Sequence, residues 1–158
     1  MWFTKCVLQF MIGKVRNMPF ANPSQEQIRE ILRQANTIAV VGLSDKPDRV
    51  SHMVSQAMQQ KGYRIIPVNP NADEILGETC YPSLKDIPEP VDIVNVFRRS
   101  DQVVPIAREA VDIGAKALWL QQGIVNEEAA EIAAKAGLAV IMDLCIKVAD
   151  SVLNPKKM

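Results

Sequence analysis

Residues 37–44 read Thr37-Ile38-Ala39-Val40-Val41-Gly42-Leu43-Ser44. Thr37 to Val41 is a continuous apolar run, without the polar alternation of a half-solvated strand, and it stops at a glycine. A run of that kind suits a strand buried on both faces of a parallel sheet. Its flanks are helical. Upstream, Ser24 and Gln27 have the spacing of a capping box. Ile28, Ile31 and Leu32 then form the apolar stripe of a helix ending near Ala35. Downstream, Val50, Met53, Val54, Ala57 and Met58 follow the i, i+3, i+4, i+7, i+8 pattern of an amphipathic helix. Gly62, after Lys61, ends it. His52 falls outside that stripe and is expected in solvent.

The same alternation continues to the C-terminus. Tyr63 to Val68 reads as a second buried strand, Val91 to Phe97 as a third, Ala117 to Leu120 as a fourth and Ala139 to Met142 as a fifth. Between the second and third strands, Asn69 to Pro90 contains Pro70, Pro82, Pro88 and Pro90 and has room only for a helical turn near Leu84–Ile87, capped by Ser83. Val103, Val104, Ala107, Ala110 and Val111 mark a helix stopped by Gly114. Asn126 caps another through Ala136, ended by Gly137, and a last helical stretch runs from Cys145 to Leu153. Strands alternating with helices give βαβ units and a parallel sheet. The expected fold is α/β: a Rossmann-like, doubly wound, five-stranded parallel sheet of order 3-2-1-4-5 in a three-layer α/β/α arrangement.

Composition agrees with this. The chain has 158 residues, of which 48% are apolar and 23% charged, the balance of an ordinary globular protein. At roughly 100–200 residues per domain, that length is one domain. Residues 18–158 are read as that domain, and residues 1–17 as an extension outside it. Met18 would serve as an alternative start. The apolar run from Cys6 to Gly13 is far short of the roughly 20 residues a membrane span needs, and no A-x-A-like cleavage site follows it. Lys+Arg and Asp+Glu are 18 each. The absence of a basic excess argues against nucleic acid or a membrane surface as partner. Three widely spaced cysteines, Cys6, Cys80 and Cys145, with the single histidine His52, supply no structural zinc site by the usual spacings. They read as reduced thiols of a cytoplasmic protein.

In an open parallel sheet, ligands bind outside the carboxyl ends of the strands. After the first strand come Gly42, Leu43, Ser44 and, further on, Arg49. Gly42 permits a tight turn. The Ser44 hydroxyl and the amides of the next helix suit a phosphate, and Arg49 adds a charge-assisted contact. The full G-x-G-x-x-G pattern is absent. After the second strand come Val68, Asn69 and Pro70, with neither the acidic residue of an NAD site nor the arginine of an NADP site. After the third come Phe97, Arg98 and Arg99, an apolar wall beside two cations. After the fourth come Gln121, Gln122 and Gly123, which offer amides without charge. Asp143 and Cys145, after the fifth, do not make a recognised nucleophile arrangement.

Taken together, VVGLSDKPDRVS, GYRIIPVNP, ILGETCYPSLKDIPEPVDIVNVFRRS, GAKALWLQQGI and AGLAVIMDLCIK resemble the small stand-alone CoA-binding proteins. These are relatives of the CoA-binding domain of the succinyl-CoA synthetase alpha subunit, and the resemblance covers roughly residues 24–154. It implies a Rossmann-like domain that binds coenzyme A or an acyl-CoA. Gly42, Leu43 and Ser44 would cradle the phosphates with Arg49 nearby. Val68, Asn69 and Pro70 would line the nucleotide side. Phe97, Arg98 and Arg99 would contact adenosine or its phosphates, and Gln121, Gln122 and Gly123 would meet the pantetheine arm. The synthetases carry a phosphorylated histidine in a second domain, which has no counterpart in these residues, so ligase activity is not implied. The expectation is a binding module: a carrier, sensor or regulator without its own catalysis, alone, as a homodimer or with a partner protein. The alternatives are a nicotinamide-dinucleotide oxidoreductase, the CoA-binding subunit of a multi-chain acyl-CoA ligase, and an interaction domain with a vestigial crevice.

Overall fold

The computed structural model describes residues 20–154. The extension assigned to residues 1–17 lies outside them, as does Cys6. Helix α1 spans Gln25–Gln34. Ser24 Oγ accepts from the Gln27 amide at 3.2 Å, and Gln27 Oε1 accepts from the Ser24 amide at 2.9 Å, which completes the capping box. Strand β1 (Thr37–Val41), helix α2 (Val50–Gln60) and strand β2 (Arg64–Val68) follow. A small hairpin, β3 (Glu74–Ile75) and β4 (Glu78–Thr79), interrupts the proline-rich segment, which then holds a 3-10 turn at Leu84–Asp86. Strand β5 (Ile93–Val96), helix α3 (Val103–Asp112), strand β6 (Ala117–Leu120), helix α4 (Glu127–Lys135), strand β7 (Ala139–Ile141) and helix α5 (Ile146–Leu153) follow within the described residues.

The sheet is parallel and runs β2-β1-β5-β6-β7. Successive residues of each strand feed opposite layers, as period 2 requires. Ala39, Val41, Val94, Val96, Leu118 and Leu120 pack beneath α3 and α4. Ile38, Val40, Ile93, Trp119 and Ile141 pack beneath α1, α2 and α5. Both faces are therefore covered, and the architecture is the three-layer, doubly wound one expected.

The order within it differs from 3-2-1-4-5. Counted among the five parallel strands it is 2-1-3-4-5, because β5 pairs with β1 instead of lying outside β2. Proline explains why. Pro67 has no amide hydrogen to give a second neighbour, and proline within a sheet belongs on an edge strand. Its carbonyl, which points outward, is taken by the Tyr81 amide at 3.0 Å, and Tyr81 in turn accepts from the Asn69 amide at 2.9 Å. The proline-rich segment thus covers the outer edge of β2. The third strand takes the free side of β1.

Candidate functional site

The order decides which loops meet. The connection after β1 passes through α2 on one face, and the connection after β5 passes through α3 on the other. The crevice of a doubly wound sheet opens where the crossovers part in this way, here between Gly42 and Phe97–Arg98. Gly42 has φ +87° and gives its amide to Val68 O at 3.0 Å. A Cβ on it would stand 2.3 Å from the Phe97 carbonyl oxygen and 3.4 Å from Arg98 Cδ. Only a glycine lets the β5 end and the Arg98 side chain lie this close over the end of β1.

A cavity of about 250 Å³ opens beside this contact, between the end of β2, the proline-rich segment and α3. Val41, Val68, Leu84 and Ile106 give it apolar walls, and Arg98, Gln102 and Glu109 are its larger polar side chains. Arg98 is half-buried and, among the described residues, makes no ion pair. Of the residues nominated from sequence, Val68, Pro70 and Arg98 line this cavity, and Gly42 touches it through Arg98.

Residues 42–49 form the adjoining wall. Asp45 to Arg49 are exposed, and Arg49 precedes α2 without a side-chain cap for the helix amides. Ser44 anchors the loop. Its amide donates to Ser51 Oγ at 3.1 Å, its carbonyl accepts from His52 Nδ1 at 2.9 Å, and its hydroxyl accepts from the Lys46 amide at 3.1 Å. Asn69 closes the far side by giving its Nδ2 to Leu43 O at 3.0 Å, while its Oδ1 accepts from the Asn71 amide at 2.9 Å. Leu43 and Phe97 have their side chains in or against the core beneath α1, α2 and α5, so they offer the crevice mainly backbone and wall.

His52 is a correction to the sequence reading. It is 8% exposed, while Val50 and Met53, assigned to the core stripe, are 66% and 53% exposed. The inward face of α2 is Ser51, His52, Val54, Ser55 and Met58. Burying a valine or methionine is worth about 1.5–3 kcal/mol, so this rotation forgoes apolar burial to place Ser51 and His52 against the loop.

The other nominated residues are spread along the rim. Arg99 is exposed and pairs with the equally exposed Asp101 at 3.6 Å. Gln121 points into the sheet, where its Nε2 donates to Asn95 Oδ1 at 2.7 Å in a buried pair. Gln122 is exposed. The Gly123 amide donates to Asp143 Oδ1 at 2.7 Å, with Asp143 itself at φ +56°. Sequence reasoning missed Ser51, His52 and Asn95 as supports, and Gln102 and Glu109 as cavity walls. Cys80 is buried beneath the segment after β2. Burial pushes its thiol up, and its Sγ lies 3.4 Å from Asn69 O. Among the described residues no cluster of His, Cys, Asp or Glu has the makings of a metal site, and no helix is long and apolar enough to cross a membrane.

The Bacillus subtilis protein YneT is 59% identical over 131 residues, which are 83% of this chain and 97% of YneT. An ADP-forming acetate–CoA ligase of Archaeoglobus fulgidus is 31% identical over 122 residues, 76% of this chain but only 18% of the ligase. A solved structure from Pyrococcus horikoshii OT3 superposes with a TM-score of 0.81 at 36% identity, covering 86% of this chain and 99% of the other. The family model described as CoA binding domain matches residues 36–151. With that match over most of its length, and with relatives among acyl-CoA ligases, this chain belongs to the CoA binding domain family.

Proposed function

We propose that the crevice between β1 and β5 binds coenzyme A or an acyl-CoA, and that the protein is a carrier, sensor or regulatory module without catalysis of its own. The observation that carries this is Arg98, which makes no ion pair among the described residues and lies over Gly42 at the lip of a cavity with apolar walls. The adenosine enters the cavity between Val68, Pro70 and Leu84, with Phe97 as part of the neighbouring wall. The pyrophosphate lies along residues 42–49 with Arg49 and Arg98 as counter-charges, and the pantetheine arm runs toward Gln122 and Gly123. Arg99, held by Asp101 in solvent, and Gln121, committed to Asn95, act from further away or through their backbone. The protein is cytoplasmic in this reading.

A nicotinamide dinucleotide fits less well. Such sites use an acidic side chain after the second strand to hold the ribose hydroxyls, and Asn69 here is committed to Leu43 and Asn71. The second reading, a CoA-binding subunit that works with a partner chain in an acyl-CoA ligase, is favoured by the likeness to the archaeal ligase. Thermal-shift measurements with CoA, acetyl-CoA, dephospho-CoA, NAD, NADP and ATP test the proposal. Ligand at 100 times its dissociation constant adds about 2.7 kcal/mol of stability, a shift of several degrees for a chain of this size. A shift with CoA and not with NAD is expected. A shift with NAD or NADP alone would overturn the proposal.

A further inference from the structure

The CoA reading says which loop faces the phosphates but not what holds that loop in shape. The hydrogen bonds of Ser44 supply an answer. Residues 45–49 are exposed, and Asn69 grips Leu43 on one side only. Both backbone groups of Ser44 are bound by side chains of the first turn of α2: the amide by Ser51 and the carbonyl by His52. The two side chains are buried, at 7% and 8% exposure, on a helix that leaves Val50 and Met53 in water. Departures from local apolar patterning of this kind concentrate at functional sites. A carbonyl only accepts, so the bond at 2.9 Å requires the imidazole proton on Nδ1.

From these contacts we infer that His52 is a positioning residue of the CoA site. With Ser51 it clamps Ser44 at two points and fixes the course of residues 44–49 before a ligand arrives, so that the loop amides and Arg49 face the pyrophosphate without a prior ordering step. His52 need not touch the ligand. Its effect is specific to ligands that reach the loop, because the cavity that takes the adenosine is lined by other elements. The inference rests on the CoA reading of the crevice.

The test compares wild type, His52→Ala and His52→Asn. An asparagine Nδ2 donates from nearly the place of the imidazole Nδ1. Dissociation constants are measured by calorimetry for CoA, and by competition for adenosine 3′-phosphate, which lacks the pyrophosphate. Loss of one preorganising hydrogen bond weakens CoA by about fivefold to tenfold in His52→Ala. Adenosine 3′-phosphate binding stays unchanged, and His52→Asn recovers most of the loss. Unchanged CoA affinity in His52→Ala overturns the inference. So does an equal loss for both ligands, or a loss that asparagine does not recover. Amide hydrogen exchange on the ligand-free proteins separates this from the function itself: the Ser44 amide, protected by Ser51, exchanges faster in His52→Ala if the clamp is real. If wild type binds no CoA, the CoA reading fails. Unchanged Ser44 protection in His52→Ala then overturns the clamp as well, whereas faster exchange upholds it as a loop support.

Discussion

Gly42→Ala tests the close approach on which the site is built. Two costs arise. The first is conformational: φ of +87° is a region that an L side chain adopts at about 1–2 kcal/mol. The second is steric. The new methyl would lie 2.3 Å from Phe97 O, a contact real Cβ atoms do not make. It meets backbone, not the end of a side chain, and that backbone is pinned because the Phe97 amide donates to Val41 O at 2.8 Å. Relief requires the ends of β1 and β5 to part, and overpacking of this kind costs about 1–3 kcal/mol. The sum is about 2–5 kcal/mol, or roughly 4–20 °C in Tm at about 2–4 °C per kcal/mol for a chain of this length. Gly137→Ala is the control. It has a similar φ of +91° but nothing within 4 Å of its Cβ position, so it bears only the conformational cost. Urea unfolding of wild type and both variants, at equal m-value, gives the difference. Gly42→Ala should be the less stable by at least about 1 kcal/mol and should bind CoA more weakly. Equal losses in the two variants would refute the close approach at Gly42.

Asn95→Ala leaves the Gln121 amide buried without its 2.7 Å partner, and should destabilise by about 1–3 kcal/mol in the same urea assay. Asp92 should contribute to acid sensitivity. Its partial burial raises the carboxyl pKa, but the Asn36 and Thr37 amides at 2.8 and 3.0 Å and Lys116 at 3.4 Å outweigh that, and the net shift is downward. A lowered folded pKa means stability that is present above the unfolded value of about 3.9 and lost as pH falls through the folded one. Asp92→Asn should accordingly flatten the stability profile below about pH 4, measured by urea midpoints across pH. Among single-cysteine variants, the one retaining Cys80, buried and with its thiol pushed up, should react with a thiol reagent more slowly than the one retaining the half-buried Cys145.

The legible parts of the fold were those with strong local signals. The uninterrupted apolar strands, the Ser24–Gln27 box and the Asn126 cap all read directly, and Asn126 Oδ1 does accept from the Ala129 amide at 2.9 Å. Strand order is a tertiary property, and its one local sign was Pro67, which marks β2 as an edge. The rotation of α2 was not legible because periodicity counts apolar residues and ignores polar ones that a neighbouring loop requires. Val50 and Met53 fit the stripe by spacing, yet Ser51 and His52 face inward to hold Ser44. The candidate site shows the same division. The loops at the strand ends could be named in advance from the fold. Which side chain each would direct into the crevice depended on partners distant in sequence, such as Asn95 for Gln121, Asp143 for Gly123 and Gly42 for Arg98.

The central claim, that Arg98 and the loop after β1 form a CoA site, is tested most directly by titrating CoA into wild type and Arg98→Ala by calorimetry. The account predicts one CoA per chain on wild type. Arg98→Ala, which removes a half-buried cation that supports no other side chain among the described residues, should weaken binding by about 1.5–3 kcal/mol with the melting temperature of the free protein unchanged. Wild-type binding that is indifferent to Arg98→Ala would move the ligand out of this crevice, and absence of CoA binding to wild type would contradict the account outright.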